Sequence, residues 1–281
     1  MLKKIKREFE KATVRYPNIF GKILGEFPLQ VLGNRYAENK DKTKTLIPPV
    51  VYQTWENKEF GKTHFKYLIE FRNQNLGFDF ELYDANERLK YLKKSWGKHP
   101  ILDIYKKCQF GAMQADIWRY CILYEFGGIY FDISKKITIP INQLFDLKAS
   151  AVVTYELNEE VLVNPKLINV IKHPHNTMAQ WGFGFAPKHP FLEKTINNIV
   201  KYYPVFKNQI FGRPKNGIHK FTGPGMFTKS VTEVLLENSK IKFQQIGLSF
   251  DSFAILSIPR SWIRHSLIKT YWLARNAKIV I

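Results

Sequence analysis

Cysteine is nearly absent: the 281 residues hold two, Cys108 and Cys121. Two thiols in apolar-rich stretches cannot build a disulfide framework or a cysteine-ligated zinc site, so a reducing compartment is expected. Long hydrophobic runs are also missing. A helix that crosses a bilayer needs about 18 or more predominantly apolar residues in succession, and no such run occurs. The basic opening Met1-Leu2-Lys3-Lys4-Ile5-Lys6-Arg7 is not followed by the apolar core of a secretory signal. The expected location is cytoplasmic, peripherally associated with the inner face of the membrane. There is no Gly-x4-Gly-Lys-Ser/Thr phosphate loop, no Gly-x-Ser-x-Gly elbow and no Gly-x-Gly-x-x-Gly turn, which removes the commonest nucleotidase, hydrolase and dinucleotide signatures. Acids are scarce against bases, 24 to 43, leaving a net charge of +19. Such a charge favours polyanionic partners: nucleic acid, an anionic membrane surface or phosphorylated substrates.

What is present reads as three regions. Residues 1–46 form a basic amphipathic N-terminal extension with eleven basic and five acidic side chains. Leu2, Ile5, Phe9 and Ala12 fall on one helical stripe that Pro17 is expected to end. Such a helix either lies on an anionic membrane or docks on the domain. Residues 47–258 carry the regular pattern. Ile47-Pro48-Pro49-Val50-Val51-Tyr52-Gln53-Thr54-Trp55 reads as a buried strand. Residues 62–75 read as a helix, Phe78–Tyr83 as an alternating strand, and Asp84-Ala85-Asn86-Glu87 as the cap of a helix to about Lys94. A long helix over roughly 103–126 stops at Gly127-Gly128, and Ile129–Ile133 is the next strand. Ala151–Thr154 reads as a further strand and 226–238 as a helix. This rhythm predicts an open, mostly parallel α/β sheet. Residues 259–281, with five basic residues, no acid, and Trp262, Tyr271 and Trp272, either close over the site or touch membrane.

The chemistry concentrates in Ala115-Asp116-Ile117-Trp118-Arg119-Tyr120 and Gly127-Gly128-Ile129-Tyr130-Phe131-Asp132-Ile133-Ser134. Asp116 and Arg119 share a helix face. Asp132 stands near the carboxyl end of a strand, where open sheets bind ligands, and can take sugar hydroxyls or a divalent ion. The bland alternative is a surface Asp116–Arg119 pair worth under about 1 kcal/mol, with Asp132 capping a loop.

These stretches together resemble glycosyltransferase family 32, the DxD-containing sugar-binding family of fungal outer-chain α-mannosyltransferases and bacterial capsule enzymes. The family pattern is an Ala-x-x-(Ser)-Asp-x-x-Arg helix, then Gly-Gly-(Ile/Met)-Tyr, then Asp-x-Asp. Ile47–Trp55, Phe80–Asp84, Gln180-Trp181 with Ala186–Pro190, and Thr222-Gly223-Pro224 resemble its other blocks, so the likeness covers roughly residues 47–272. It implies a GT-A type, Rossmann-like nucleotide-sugar-binding fold. The implied activity is a retaining transfer from a UDP- or GDP-sugar to a glycan or lipid-linked glycan during cell-surface polysaccharide synthesis. By position, Asp132, Asp116 and Arg119 would be catalytic. Gln53, Thr54, Trp55, Tyr130, Ser134, Trp181, Gly223 and Trp272 would join them in holding the donor, and Asp132 and His265 would be metal ligands. The chain departs from the family where its second Asp stands: Ser134 is a poor ligand for a hard cation. Mn2+ or Mg2+ binding is therefore weakened, and Lys135 and Lys136 could neutralise the diphosphate instead. Expected partners are the nucleotide-sugar donor, the acceptor and an anionic membrane surface, with no nucleic acid. The alternatives are a catalytically inactive nucleotide- or glycan-binding relative and a basic nucleic-acid-binding protein.

Overall fold

A computed structural model describes Glu8, residues 12–38, 45–266 and 271–281, except for the side chain of Trp272. Leu2, Ile5 and Phe9 of the expected N-terminal stripe lie outside the described residues, as does the Trp272 side chain.

The centre is a six-stranded sheet. Its strands in chain order are β1 (Val50–Thr54), β2 (Asp79–Tyr83), β3 (Gly128–Phe131), β4 (Ala151–Tyr155), β5 (Gly182–Phe185) and β6 (Gln244–Leu248), and their spatial order is β6-β4-β5-β3-β1-β2. The pairs β1–β2, β1–β3 and β4–β6 are parallel, whereas β5 runs antiparallel to both β3 and β4. Five strands thus point one way. The mostly parallel α/β sheet expected from the strand–helix rhythm is what the chain forms, and near-continuous burial of its strands is what a sheet covered on both faces requires.

Helices cover both faces. Those of seven or more described residues are α1 (Pro17–Ile23), α2 (Lys62–Asn73), α3 (Ala85–Ser95), α4 (Pro100–Lys107), α5 (Gly111–Phe126), α6 (Pro190–Phe206), α7 (Pro214–Phe221) and α8 (Pro224–Glu237). On β3 the alternation of side chains divides the core. Ile129 and Phe131 join Phe71, Phe80, Phe145 and Phe250 on one face, while Tyr130 packs with Trp118 and Phe183 on the other. Each fully buried aromatic or aliphatic side chain contributes about 1.5–3 kcal/mol relative to exposure.

Local signals explain the boundaries. Asp84 accepts from the Glu87 amide at 2.9 Å and Glu87 accepts from the Asp84 amide at 2.8 Å, a reciprocal cap that opens α3 as expected. The Gly127-Gly128 pair adopts φ of +67° and +105°, and a Cβ there would sit 2.8 Å from the Phe185 carbonyl oxygen and 2.9 Å from that of Val50. Only glycine turns the chain from α5 into the middle of this sheet.

One expectation is corrected. The helix placed over 103–126 is two helices, α4 and α5, because Cys108 is extended and 108–109 pairs with the chain terminus. Gln109 donates its amide to the Ile279 carbonyl at 2.9 Å, and Cys108 bridges Val280. The helical stretch does end just before Pro17, as expected, and a second helix starts at that proline. Residues 12–15 are helical, Tyr16 interrupts, and Pro17 opens α1, where a missing amide costs nothing. The prologue is tied to the body: buried Glu26 accepts from the Thr63 hydroxyl at 2.6 Å, the Thr63 amide at 2.8 Å and Arg260 at 2.6 Å.

Candidate functional site

The topology gathers the candidate residues at one edge of the sheet. Trp55, Asp132 and Glu156 directly follow the parallel strands β1, β3 and β4, and Trp181 directly precedes the antiparallel β5. All four therefore stand at the carboxyl edge of the parallel strands, the ligand-binding edge of open α/β sheets.

The centre of that edge is a carboxylate–guanidinium cluster. Arg119 Nη2 lies 3.2 Å from Asp116 Oδ1 and 3.4 Å from Asp132 Oδ1. Its Nη1 donates to the Gln180 carbonyl at 2.9 Å, and its guanidinium sits 4.2 Å from the centroid of the Tyr130 ring. The Tyr130 hydroxyl donates to Asp132 Oδ1 at 2.7 Å, and the Thr222 hydroxyl donates to Asp116 Oδ2 at 2.8 Å. The Asp116 and Arg119 side chains are 8% and 7% exposed against 31% for Asp132. The pair is not a surface salt bridge. It is a buried brace that aims one half-open carboxylate at solvent. Burial raises the Asp116 carboxyl to about 6, with Arg119 and the Thr222 hydroxyl only partly offsetting it. Burial also opposes the charge on Arg119, but Tyr130, Asp132 and Asp116 more than compensate and hold its pKa above the usual value.

One flank is built by the chain's far end. The Trp55 indole donates to the Arg264 carbonyl at 3.2 Å, the Arg264 guanidinium lies 4.8 Å from the Trp55 centroid, and the His265 ring meets Trp55 edge-on at 5.0 Å. Beneath, a ring nitrogen of buried His64 meets the carbonyl of Ile133, the residue between Asp132 and Ser134, at 2.8 Å. Burial lowers both His64 and His265 to about 3, helped by the Arg264 charge, so both are neutral near pH 7. The Gln53 side chain, at 0% exposure, has neither amide atom hydrogen-bonded, whereas the Thr54 hydroxyl donates to the Tyr83 carbonyl at 2.6 Å.

On the other flank Lys135 Nζ donates to the Leu256 carbonyl at 3.0 Å and sits 5.0 Å from the centroid of Trp181. Glu156 faces this space; burial raises its carboxyl, Asp132 adds to the effect, and Lys135 opposes it. Gly223 follows Thr222 as the N-cap residue of α8. Lys136 does not share the site as the sequence reading expected. It turns to Tyr67 at 4.8 Å and Glu70 at 3.8 Å, because the 136–137 strand carries it away from the Asp132 turn. Sequence reasoning missed Arg264, Glu156 and His64. Only a charged residue directly after a buried strand could have flagged Glu156.

The side chains do not fit a divalent ion. Among the described residues no three His, Cys, Asp or Glu groups gather as a ligand set. Asp132 Oδ1 is engaged by Tyr130 and Arg119, Ser134 offers no charge, and His265 packs on Trp55 beside a guanidinium. Hard cations need several oxygen ligands, mostly anionic.

A buried carboxylate–guanidinium brace at the carboxyl edge of an open α/β sheet is suited to polyhydroxylated, anionic ligands. Comparison with known proteins agrees in kind. Residues 49–151 match the family described as "Glycosyltransferase sugar-binding region containing DXD motif", the family the motifs resemble. The chain is 23% identical over 159 residues to the inositol phosphoceramide mannosyltransferase 1 of Schizosaccharomyces pombe, covering 56% of this chain and 44% of that protein. It is 23% identical over 217 residues to the initiation-specific alpha-1,6-mannosyltransferase of Candida albicans, covering 69% and 54%. An uncharacterized glycosyltransferase of Acanthamoeba polyphaga mimivirus is 26% identical over 200 residues, with 69% and 68% covered. The chain spans about half the length of the two fungal relatives. The solved PaToxG glycosyltransferase superposes with a TM-score of 0.48 at 16% identity over 84% of this chain and 83% of that one.

Proposed function

We propose that the protein is a retaining glycosyltransferase of GT-A type that moves a sugar from a UDP- or GDP-sugar to a glycan or lipid-linked glycan acceptor. The observation that carries this reading is the brace of Asp116, Arg119 and Asp132, in which two buried members orient a third, half-open carboxylate. A carboxylate so placed accepts hydrogen bonds from sugar or ribose hydroxyls. Arg119 and the Tyr130 hydroxyl hold it fixed in direction, so little reorganisation is needed when the donor binds. Half-buried Trp55 can offer a ring face to a base or a sugar ring, whereas Trp181 is buried between Lys135 and Phe250. Residues 47–258 would form the catalytic body, with 259–281 folded over its edge. Two relatives are named mannosyltransferases, which makes mannose the first sugar to try. The charge of +19 suits an anionic membrane surface or a phosphorylated, lipid-linked acceptor, consistent with a place at the inner face of a membrane, and among the described residues no helix is long and apolar enough to cross one.

The test is nucleotide release from a panel of UDP- and GDP-sugars, with wild type and Asp132→Ala compared at equal folded fraction. Release from one donor is expected, falling about 100-fold or more in Asp132→Ala, since groups that orient a reacting substrate are commonly worth that much. Wild-type turnover in the variant refutes the site. Failure of both UDP and GDP to bind by calorimetry refutes the function.

A further inference from the structure

We infer that this site holds a nucleoside diphosphate without a divalent ion, with Arg264 and Lys135 as two fixed cations flanking Asp132. The inference rests on the donor reading above and deepens it. Three observations support it.

The first is the donor set. A metal that bridges protein and diphosphate needs charged oxygens from the protein, and this turn supplies one carboxylate whose Oδ1 already takes a hydroxyl and a guanidinium. The second is the state of Arg264. Its main chain is pinned by the Trp55 indole at 3.2 Å, its guanidinium lies over the Trp55 ring, and one of its terminal nitrogens donates to the Ser261 carbonyl. Its Nε is buried with no hydrogen-bond partner. Asp132 is the carboxylate whose charge acts on it. The side chain as a whole is half-buried, and a cationic donor shut away from water is costly unless an acceptor completes it. The third is the opposite flank. Lys135 lies over Trp181, so each of the two cations rests on an indole at the same edge as Asp132. Two positive charges, one on each flank, equal the charge a divalent ion would bring.

The chemistry balances without a metal. The anomeric carbon–oxygen bond breaks with its electron pair leaving on the diphosphate oxygen. The acceptor hydroxyl oxygen forms the new bond to that carbon, and its proton passes to the diphosphate. Arg264 and Lys135 stabilise the charge that develops on the leaving group.

Calorimetric titration of UDP and of GDP in Mn2+ and in EDTA tests this on the full chain, with wild type, Arg264→Gln and Arg264→Lys. The preferred nucleotide should bind in EDTA within about threefold of its Mn2+ affinity, because the fixed cations already supply the charge. Arg264→Gln should weaken it tenfold or more at an unchanged melting profile. Arg264→Lys should recover part of the loss, while the phosphate-free nucleosides bind all three proteins alike. Affinity that falls tenfold or more in EDTA overturns the inference and leaves the transferase reading standing, and this comparison needs no variant to fold. Unchanged binding by Arg264→Gln also overturns it. No binding of either nucleotide in either buffer defeats the transferase reading itself, and the inference with it.

Discussion

Replacing Asp116 by Asn should remove a pH dependence from the stability of the fold. The size of that dependence follows from how burial and ion pairing compete at this carboxyl. Unfolded, Asp116 titrates near 3.8; folded, burial carries it to about 6 despite Arg119 at 3.2 Å. A group whose folded value is raised holds its proton longer in the native state. Between these two values the native state therefore binds more protons than the unfolded chain, and stability falls as pH rises. At about 1.4 kcal/mol for each tenfold change in proton affinity, the total is on the order of 3 kcal/mol. It is fully present below pH 3.8 and lost by the time pH has passed 6. Asn cannot titrate, so the stability of wild type minus that of Asp116→Asn should decline by about that amount from pH 4 to pH 7, over any constant offset from repacking beside Arg119 and Thr222. Urea unfolding followed by tryptophan fluorescence at unit pH steps measures it. A flat difference would show that Arg119 cancels the burial. A difference that grows with pH would show that it over-compensates, and the brace would then be a stabilising ion pair instead of a strained one.

The elements that sequence made legible are those whose signal is local. The prolines and β-branched run before Gln53 announce β1, the Asp84–Glu87 spacing announces the cap of α3, and Gly127-Gly128 announces a turn that no other residue can make. Asp116, Arg119 and Asp132 were legible because helix periodicity and strand ends fix their placement within about twenty residues of chain. What stayed hidden depends on distant segments. The break between α4 and α5 exists because residues 279–280 take the backbone bonds of 108–109, and nothing around Cys108 encodes that visitor. Arg264 reaches the site only because its turn folds onto Trp55, 209 positions away. Lys135 and Lys136 look equivalent in sequence, but the 136–137 strand sends the second to Glu70. A motif reading finds the side chains a fold must place. The counter-charges that come from elsewhere escape it, and here they bear on whether a metal is needed.

Two further tests concern the supports of the site. Gly128→Ala should destabilise the fold by roughly 1–3 kcal/mol or more, since a side chain at φ +105° is strained and its Cβ would press on the Val50 carbonyl at 2.9 Å. A melting temperature within a degree of wild type would contradict that close approach. Glu26→Gln probes the joint between the N-terminal segment and the Arg264 turn. Burial pushes the Glu26 carboxyl up, but Arg260 and the two Thr63 donors prevail and hold it below its ordinary 4.5. A lowered folded value means stability that is present above pH 4.5 and lost as pH falls through the folded value. The variant should therefore cost about 1–3 kcal/mol at pH 7, the range for losing charge-assisted hydrogen bonds, and less at pH 3.5, which lies below the carboxyl's ordinary value. Arg260 stands four residues before Arg264 on the same turn, so a loosened Glu26–Arg260 contact should also weaken diphosphate binding while leaving the Asp116–Arg119 brace intact. If Glu26→Gln lowers stability equally at both pH values, its carboxylate charge is not what joins the two ends of the chain. If stability falls as expected but diphosphate affinity does not, Trp55 alone is enough to hold Arg264 in place.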